Sequence, residues 1–417
     1  MASLQPPVAQ ISDDAASERL ERITLAFAAA VAVAYIVLLI GSVALRIWPY
    51  DNNGRLLPLD FTVFWTAGHL ALHGMPHVAY TPHLIHLAEE RTIGHSFPAN
   101  IPWGYPPLFL CIVAVLACLP YVVSFVLWNC TTFVMFGATV ARIANRPIAF
   151  FAAIAAPWSF ACLHIGQDGL FSGSIVGAVL LLLNRRPALA GLLLGLLTFK
   201  PQLGILFPVA LAFGRHWRAM TWACVGTLAC TGVSVAFFGD GTLLEFFRGL
   251  LTFADGFLIN NARGWYNGWN NFQSLYALAR WVGIEGSICW SLQIAATIGC
   301  VAVLAALWRS SASFSVKAAG LAAAIPVATP FVFVYDFPVL TVAIAFLWDH
   351  RRFDLVDCLA IVFAFLITSF AWSANPTAAL APLAIAMIVW RRVPSEMKRA
   401  SFAPSGSVAR SPRAFAS

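Results

Sequence analysis

The chain has 417 residues, of which 60% are hydrophobic and only 10% are charged, whereas an ordinary soluble domain carries roughly 25% charged residues. This composition excludes a soluble globular protein and predicts an all-α, polytopic membrane protein, because helices satisfy the backbone hydrogen bonds of many successive apolar segments. In a membrane protein, the net charge of +7 reflects positive residues that set the orientation of the helices. We therefore expect no nucleic acid partner.

Hydrophobic runs between polar residues predict about twelve transmembrane helices within a domain at 23–393, after a cytoplasmic N-terminal segment at 1–22. The predicted spans are 23–45, 121–141, 147–163, 170–183, 187–199, 201–213, 219–238, 286–307, 318–334, 337–348, 355–373 and 377–390. Residues 106–120 are too few to cross a bilayer of about 30 Å and contain prolines, so we expect a re-entrant or interfacial helix there. Residues 394–417 are rich in Ser, Ala and Pro with scattered Arg, a composition that predicts a disordered cytoplasmic tail.

Paired arginines indicate how these helices are oriented. The pairs are 185–186, 351–352 and 391–392. They fall in connections on one side, which the positive-inside rule assigns to the cytoplasm. The opposite connections include two large loops, 46–105 and 239–285, rich in Trp, Tyr, His and Asn. Several predicted spans are short, which favours a polar cavity that opens outward.

The nine cysteines lie in or beside apolar segments and show no paired CxxC spacing. We therefore expect neither disulfides nor a zinc site. The sequence predicts no cofactor and no metal ligands, and it leaves the metal requirement of the reaction open.

One carboxylate, Asp60, stands in the run LPLDFTVFWTAGHL at 57–70, just outside a predicted span. Asp is among the best residues for capping a helix, and the following residues could form an interfacial amphipathic helix. A carboxylate at the membrane surface could also act as a general base. The two roles are compatible, and both stay open at this point.

Lys200 lies in LLLGLLTFKPQLGILF, between two predicted spans on the outer side. An ionisable group at a membrane edge is a candidate for function. The alternative is a lysine whose ammonium reaches the outer headgroups, with Pro201 serving a tight turn between the helices.

Polar residues also stand at the outer ends of two further helices. In LHIGQDGLFSG they are His164, Gln167 and Asp168, and in TPFVFVYDFPVL they are Tyr335 and Asp336. Helix capping is the alternative to a functional role for the two aspartates.

The loop at 260–280 is rich in aromatic and amide side chains. Its candidate ligand-binding residues are Arg263, Trp265, Asn270, Asn271 and Gln273. Rings can stack on sugar faces while amides bond hydroxyl groups, so this loop suits a polyhydroxylated ligand. An aromatic belt at the membrane interface is the alternative.

The order of several segments is more specific than any one of them. LDFTVFWTAGHLALHGMPHVAY is followed by WGYPPLFL, which contains Tyr105, and then by GQDGLFSGSIVGAVLLLL, RRPALAGLLLGLLTFKPQ, NNFQSL and TPFVFVYDFPVL. Over roughly residues 55–350 this set resembles glycosyltransferase family 87, of the GT-C superfamily. Many relatives carry Asn where this chain has Asp168.

The resemblance implies a multi-pass enzyme of the bacterial inner membrane with its active site facing the periplasm. It implies inverting transfer of a hexose, with mannose expected, from a polyprenyl-phosphate sugar to a glycolipid or glycan acceptor. Asp60 matches the family's acidic residue in the first outer loop, regarded as catalytic, and we expect it to be the general base. Lys200 and Arg263 are the expected partners of the leaving phosphate, and the other candidates named above would bind substrate.

Two other functions remain open from the sequence. A secondary transporter is also polytopic, although no internal repeat is evident here. A polymerase or ligase of surface polysaccharide would differ in using a lipid-diphosphate donor.

Overall fold

The computed structural model describes residues 8–98, 102–254, 271–371 and 375–402. Within these ranges the chain forms eighteen α-helices, and the β-structure is confined to an isolated bridge between Tyr50 and Leu56. The helices are α1 Val8–Ala44, α2 Asp60–Leu72, α3 Pro82–Ile93, α4 Pro107–Ala117, α5 Tyr121–Ala144, α6 Ala149–Ile154, α7 Pro157–Ile165, α8 Gly169–Leu182 and α9 Pro187–Leu196. They continue with α10 Pro201–Gly204, α11 Phe207–Phe213, α12 Trp217–Ala254, α13 Leu275–Trp281, α14 Gly286–Arg309, α15 Phe314–Ala328, α16 Pro338–His350, α17 Leu355–Phe370 and α18 Leu380–Phe402.

Five helices of the described chain are long and apolar enough to cross a membrane. They are Ala16–Ala44, Tyr121–Ala144, Trp217–Leu251, Gly286–Arg309 and Pro376–Pro394. Six further apolar helices have 10 to 17 residues. The all-α membrane architecture is thus confirmed, whereas the number of about twelve spans stays a prediction.

Several predicted boundaries differ from the structure. Helix α12 continues past a kink at Gly239 to Ala254, where the outer loop 239–285 was expected to begin. Helix α1 already begins at Val8, so most of the predicted N-terminal segment is continuous with the first span. The predicted span 147–163 is divided into α6 and α7, because Pro157 disfavours a helical conformation at the preceding residue. Helix α18 continues through Pro394 to Phe402, where disorder was expected, and residues 403–417 lie outside the described ranges.

Helix α4 occupies the segment for which a re-entrant or interfacial helix was expected. Its 11 residues extend about 16 Å, about half the thickness of a bilayer. It packs closely on α2, because a Cβ at Gly68 would lie 2.1 Å from the carbonyl oxygen of Val113. This close approach fixes α2, and with it Asp60, against the helical bundle.

The charged connections collect at one end of the molecule. There Arg146 pairs with Glu21 at 2.6 Å. Arg352 pairs with Glu18 at 3.2 Å, and Arg392 pairs with Asp357 at 2.8 Å. Helices α8 and α16 start at the opposite end, and most of their side chains are buried between neighbouring helices. The residues that precede them, Asp168 and Asp336, are thereby brought together.

Candidate active site

A cavity of about 470 Å³ lies at the end of the bundle opposite to the paired arginines. Its wall combines the start of α2, the segment before α4, the turn before α10 and the segment before α16. The candidates from the sequence that line it are Asp60, Tyr105, Gln167, Lys200, Asn271, Gln273, Tyr335 and Asp336. Residues far apart in the chain therefore share one polar cavity.

Asp60 is the first residue of α2, and the N-cap is Leu59. The capping alternative for Asp60 is wrong, because Leu59 occupies the N-cap position and its backbone N–H donates to Thr62 Oγ1 at 3.1 Å. Gln167 Nε2 donates to Asp60 Oδ2 at 2.8 Å. Oδ1 accepts no hydrogen bond from the described residues, so one carboxylate oxygen is available to a ligand.

The pKa of Asp60, which lies outside the candidate spans, is raised from its usual value to about 6. Desolvation by the surrounding protein is the largest cause and raises it. The hydrogen bond from Gln167 lowers the pKa, the negative charge of Asp168 raises it, and the positive charge of Lys200 lowers it. Asp60 is thus ionised at neutral pH, with a pKa close enough to neutrality for efficient general-base catalysis.

Lys200 is held between two aspartates beside the cavity. Its Nζ lies 2.6 Å from Asp168 Oδ1 and 2.5 Å from Asp336 Oδ1. The side chain of Lys200 is 3% exposed and both aspartates are fully buried. The alternative in which Lys200 reaches the headgroups is therefore wrong, and the ammonium instead neutralises part of a buried negative charge.

A glycine allows these three residues to meet. A Cβ at Gly169 would lie 1.6 Å from the carbonyl oxygen of Tyr335, so only glycine lets the start of α8 approach this backbone. Asp168 directly precedes that glycine, and Asp336 directly follows Tyr335. The close backbone contact thus places the two carboxylates on either side of Lys200.

The capping alternative has a different outcome at each aspartate. Asp168 is the N-cap residue of α8 but makes no capping hydrogen bond with its side chain. Asp336 Oδ2 does accept from the Phe333 backbone N–H at 2.9 Å, so Asp336 closes a local turn as well as pairing with Lys200.

A hydrogen-bonded chain links Asp60 to this ion cluster. Gln167 donates to Asp60, and its Oε1 accepts from the Tyr105 hydroxyl at 3.1 Å and from the Asp168 N–H at 3.2 Å. The Tyr105 hydroxyl also lies 3.4 Å from Asp168 Oδ1. The orientation of the Asp60 carboxylate is therefore coupled to the Lys200 cluster through Gln167.

Aromatic rings and an amide form another part of the wall. Phe272, Phe333 and Tyr335 are packed in series, with ring centroids 4.6 and 4.8 Å apart. Next to them, Gln273 Nε2 donates to the Asn375 carbonyl at 3.0 Å. Gln273 Oε1 is buried and has no hydrogen-bond partner among the described residues.

A sequence model of glycosyltransferase family 87 matches residues 103–335, more than half of the chain. The chain belongs to glycosyltransferase family 87. Searches of curated proteins and of solved structures gave no match. The family identifies this membrane protein as a glycosyltransferase, which argues against the transporter. The matched region contains Gln167, Asp168 and Lys200, whereas Asp60 precedes it and Asp336 directly follows it.

Two of the expected site residues, His164 and Asp168, do not line the cavity, although Asp168 pairs with Lys200 beside it. His164 is stacked between Trp48 and Phe160, with ring centroids 5.2 and 5.6 Å away, and does not line the cavity. The position of His164 at a helix end indicated that it lies at the cavity end of the molecule. It could not indicate that the imidazole ring packs against Trp48 and Phe160. Arg263, Trp265 and Asn270 lie outside the described residues.

The structure also adds residues that the sequence analysis missed. Gln202 and several phenylalanines line the cavity, but in an apolar sequence nothing distinguishes them from lipid-facing residues. Glu89 on α3 is fully buried, and neither of its carboxylate oxygens has a hydrogen bond. Desolvation raises its pKa to about 9, with a further contribution from Asp60, so Glu89 is neutral near pH 7 and adds little charge to the site.

No grouping of three or more His, Cys, Asp and Glu side chains suited to a metal ion occurs in the described parts of this family 87 protein. Of the three carboxylates nearest the cavity, two already share the ammonium of Lys200.

We expect the glycosyltransferase activity to depend on the ionisation of Asp60. Because only the carboxylate accepts a proton, kcat/KM should rise with pH and reach half its maximum near pH 6. Well below that pH it should fall about tenfold per pH unit. The measurement is the initial rate at low substrate concentration from about pH 5 to about pH 8. A flat profile over this interval would contradict a base with this pKa.

Gln167→Met should move this acid limb to higher pH. The hydrogen bond from Gln167 lowers the pKa of Asp60, so its removal raises the pKa, by about one pH unit for a bond to a charged group. The same pH series measures the displacement. Gln202→Met is the matched control, because Gln202 lines the same cavity and makes no hydrogen bond to Asp60. Equal profiles for both variants would argue against the coupling.

Proposed function

We propose that this family 87 glycosyltransferase transfers a hexose, with mannose as the expected sugar, from a polyprenyl-phosphate donor. The acceptor is a glycolipid or glycan hydroxyl group, and the reaction inverts the anomeric carbon. The site faces the periplasm of a bacterial inner membrane, and the chemistry requires no bound cofactor. The observation that carries the proposal is the Asp60 carboxylate in the cavity wall, with one oxygen unbonded and its pKa near 6.

Asp60 acts as the general base in this scheme. The acceptor oxygen attacks the anomeric carbon from the side opposite to the phosphate, and its proton passes to Asp60. The new bond joins the acceptor oxygen to the anomeric carbon, while the bond from that carbon to the phosphate oxygen breaks. The electron pair leaves with the polyprenyl phosphate, so one displacement gives inversion.

The leaving phosphate needs positive charge close to it. Arg263, outside the described residues, is the proposed main partner. Lys200 contributes through its remaining N–H, because a lysine ammonium has three donors and two aspartates are its neighbours here. Because the two aspartates already offset the charge of Lys200, we propose that Lys200 serves chiefly to position Asp168 and Asp336.

The rest of the cavity suits a sugar attached to a lipid. Its volume of about 470 Å³ falls within the usual range for small-molecule sites, roughly 300–1,000 Å³. Gln273 and Asn271 line the cavity and can supply amide groups to the sugar hydroxyls. Tyr335 and the neighbouring phenylalanines provide ring faces for the sugar and apolar surface for the start of the polyprenyl chain.

The periplasmic orientation predicts the behaviour of topology reporters. A reporter active only outside the cytoplasm should be active when fused after Gly74, which follows α2 at the cavity end. It should be silent after Arg186 or Arg352, because these belong to the opposite connections. Activity measured in intact cells tests this, with immunoblots as the control for expression. The reversed pattern would place the cavity in the cytoplasm.

The donor is tested with membranes from cells that produce the chain. Polyprenyl-phosphate mannose, glucose and arabinose are supplied separately, with a polyprenyl-diphosphate sugar as a further arm, and products are analysed by mass spectrometry. We expect a hexose-extended product from a monophosphate donor that is absent with Asp60→Asn membranes. A product formed only from the diphosphate donor would instead identify a polymerase or ligase.

A further inference from the structure

A second cavity, of about 550 Å³, lies at the end of the bundle opposite to the candidate active site. It is formed by the connection between α11 and α12 together with the connection between α14 and α15. Three cationic residues line it, namely Arg215, Arg309 and Lys317, together with Trp217 and Trp308. None of its lining residues is acidic. We call this cavity the basic pocket.

The walls of the basic pocket are built by specific contacts. A Cβ at Gly214 would lie 2.6 Å from the Trp308 ring, so glycine allows the first connection to pack directly on that ring. The following residue, Arg215, has a positive φ of 57°. The guanidinium of Arg309 lies 4.5 Å from the centre of the Phe213 ring, which restrains Arg309 at the edge of the pocket.

The cations of the basic pocket have no acidic partner within ion-pairing distance in the described chain. Asp349, on the adjoining α16, accepts from Ser315 and pairs with none of them. Trp308 is only 3% exposed, and its indole N–H has no acceptor among the described residues. Three positive charges with no acidic partner favour an anionic ligand that is rich in acceptor atoms.

The surface beside the pocket favours a lipid as the source of that anion. Trp217 is 55% exposed at the start of a candidate membrane span, a position typical of tryptophan at the membrane interface. Val225 and Leu228 follow it by 8 and 11 residues on the same face of α12. They are 43% and 72% exposed, so an apolar track for an acyl chain leads away from the pocket.

We propose that the basic pocket binds the phosphate group of an anionic phospholipid from the leaflet at this end of the helices. Arg215, Arg309 and Lys317 contact the phosphate, and an acyl chain lies along α12 past Trp217. Basic pockets between transmembrane helices on the cytoplasmic side are known to hold anionic headgroups. This site is separate from the glycosyltransferase cavity.

Native mass spectrometry of the full-length chain, purified in detergent, tests the proposal. The probes are phosphatidylglycerol and phosphatidylcholine with identical acyl chains. We expect retention of phosphatidylglycerol to exceed that of phosphatidylcholine about tenfold. Arg215→Gln/Arg309→Gln/Lys317→Gln should abolish this preference, because the three positive charges together favour the anionic headgroup over the zwitterionic one. Arg218→Gln is the control, since Arg218 is exposed nearby without lining the pocket.

Three outcomes would overturn the proposal. One is equal retention of the two lipids, and another is an equal loss of preference in Arg218→Gln, which would indicate attraction by surface charge alone. The third is displacement of phosphatidylglycerol by inorganic phosphate at an equal concentration, which would identify a soluble anion as the ligand. Should the triple variant fail to fold, Arg309→Gln alone must lower the preference about twofold, its share of a tenfold preference held by three cations, and an unchanged preference would refute the site.

Discussion

Replacing Asp60 by Asn is expected to lower the turnover of sugar transfer by roughly 100-fold or more. The amide keeps the size of the side chain, and its oxygen can still accept from Gln167, but it is no useful base at neutral pH. Helix α2 should be unaffected, because its N-cap is Leu59 and Thr62 bonds to that residue. The measurement is the rate of product formation per molecule of enzyme in membranes, with immunoblots confirming equal amounts of protein.

Asp51→Asn is the matched control for that variant. Asp51 lies in the segment between α1 and α2, where its carboxylate accepts from the N–H groups of Asn53 and Arg55 outside the cavity. Its replacement should leave the rate unchanged. Asp60→Glu should be partly active at best, because one extra methylene moves the carboxylate by about 1 Å. If the Asn variant transferred sugar at the parental rate, Asp60 would not be the base, and Asp336 and Asp168 would become the candidates.

The second large effect is expected on stability. Lys200→Met removes the cation between Asp168 and Asp336, both fully buried. Breaking a buried ion pair in this way typically costs about 3–5 kcal/mol, because the remaining charges are left uncompensated. We expect a lower yield of folded protein and a clearly reduced unfolding temperature in detergent, measured by intrinsic fluorescence during heating.

A triple variant separates this stability effect from a role in phosphate binding. Lys200→Met combined with Asp168→Asn and Asp336→Asn removes the charges together, so it should recover much of the lost stability. Arg55→Met is the control for loss of a positive charge, since Arg55 is exposed and does not line the cavity. If Lys200→Met folds normally and only its donor KM rises, then Lys200 is a phosphate ligand and not a structural cation.

Much of this architecture could be predicted from the sequence. Long apolar segments require helices, and single charged residues within them are costly unless they have a partner or a function. That argument identified Asp60, Lys200 and Asp336 before their contacts were known. It could not identify the pairing, because Lys200 meets Asp168 and Asp336 across 32 and 136 residues of chain, through the packing of α8 and α16.

The sequence also could not show which of two adjacent glutamates is buried, or where one apolar helix is broken. Glu89 and Glu90 are adjacent in a polar helix, yet Glu89 is fully buried and the side chain of Glu90 is 24% exposed. Only the packing of α3 on α2 determines which of them faces inward. The break between α6 and α7 was missed because the apolar sequence continues on both sides of Pro157, and hydrophobicity alone does not report helix continuity.

The most direct test of Asp60 as the base is a cryo-electron-microscopy structure with a polyprenyl-phosphonate mannose analogue, in which a carbon–phosphorus bond prevents transfer. If Asp60 is the base, the sugar occupies the cavity with its anomeric carbon facing Asp60 and with room for an acceptor hydroxyl between them. The phosphonate then lies on the far side of the sugar. A sugar bound outside the cavity, or a phosphonate lying between the anomeric carbon and Asp60, would contradict this role of Asp60.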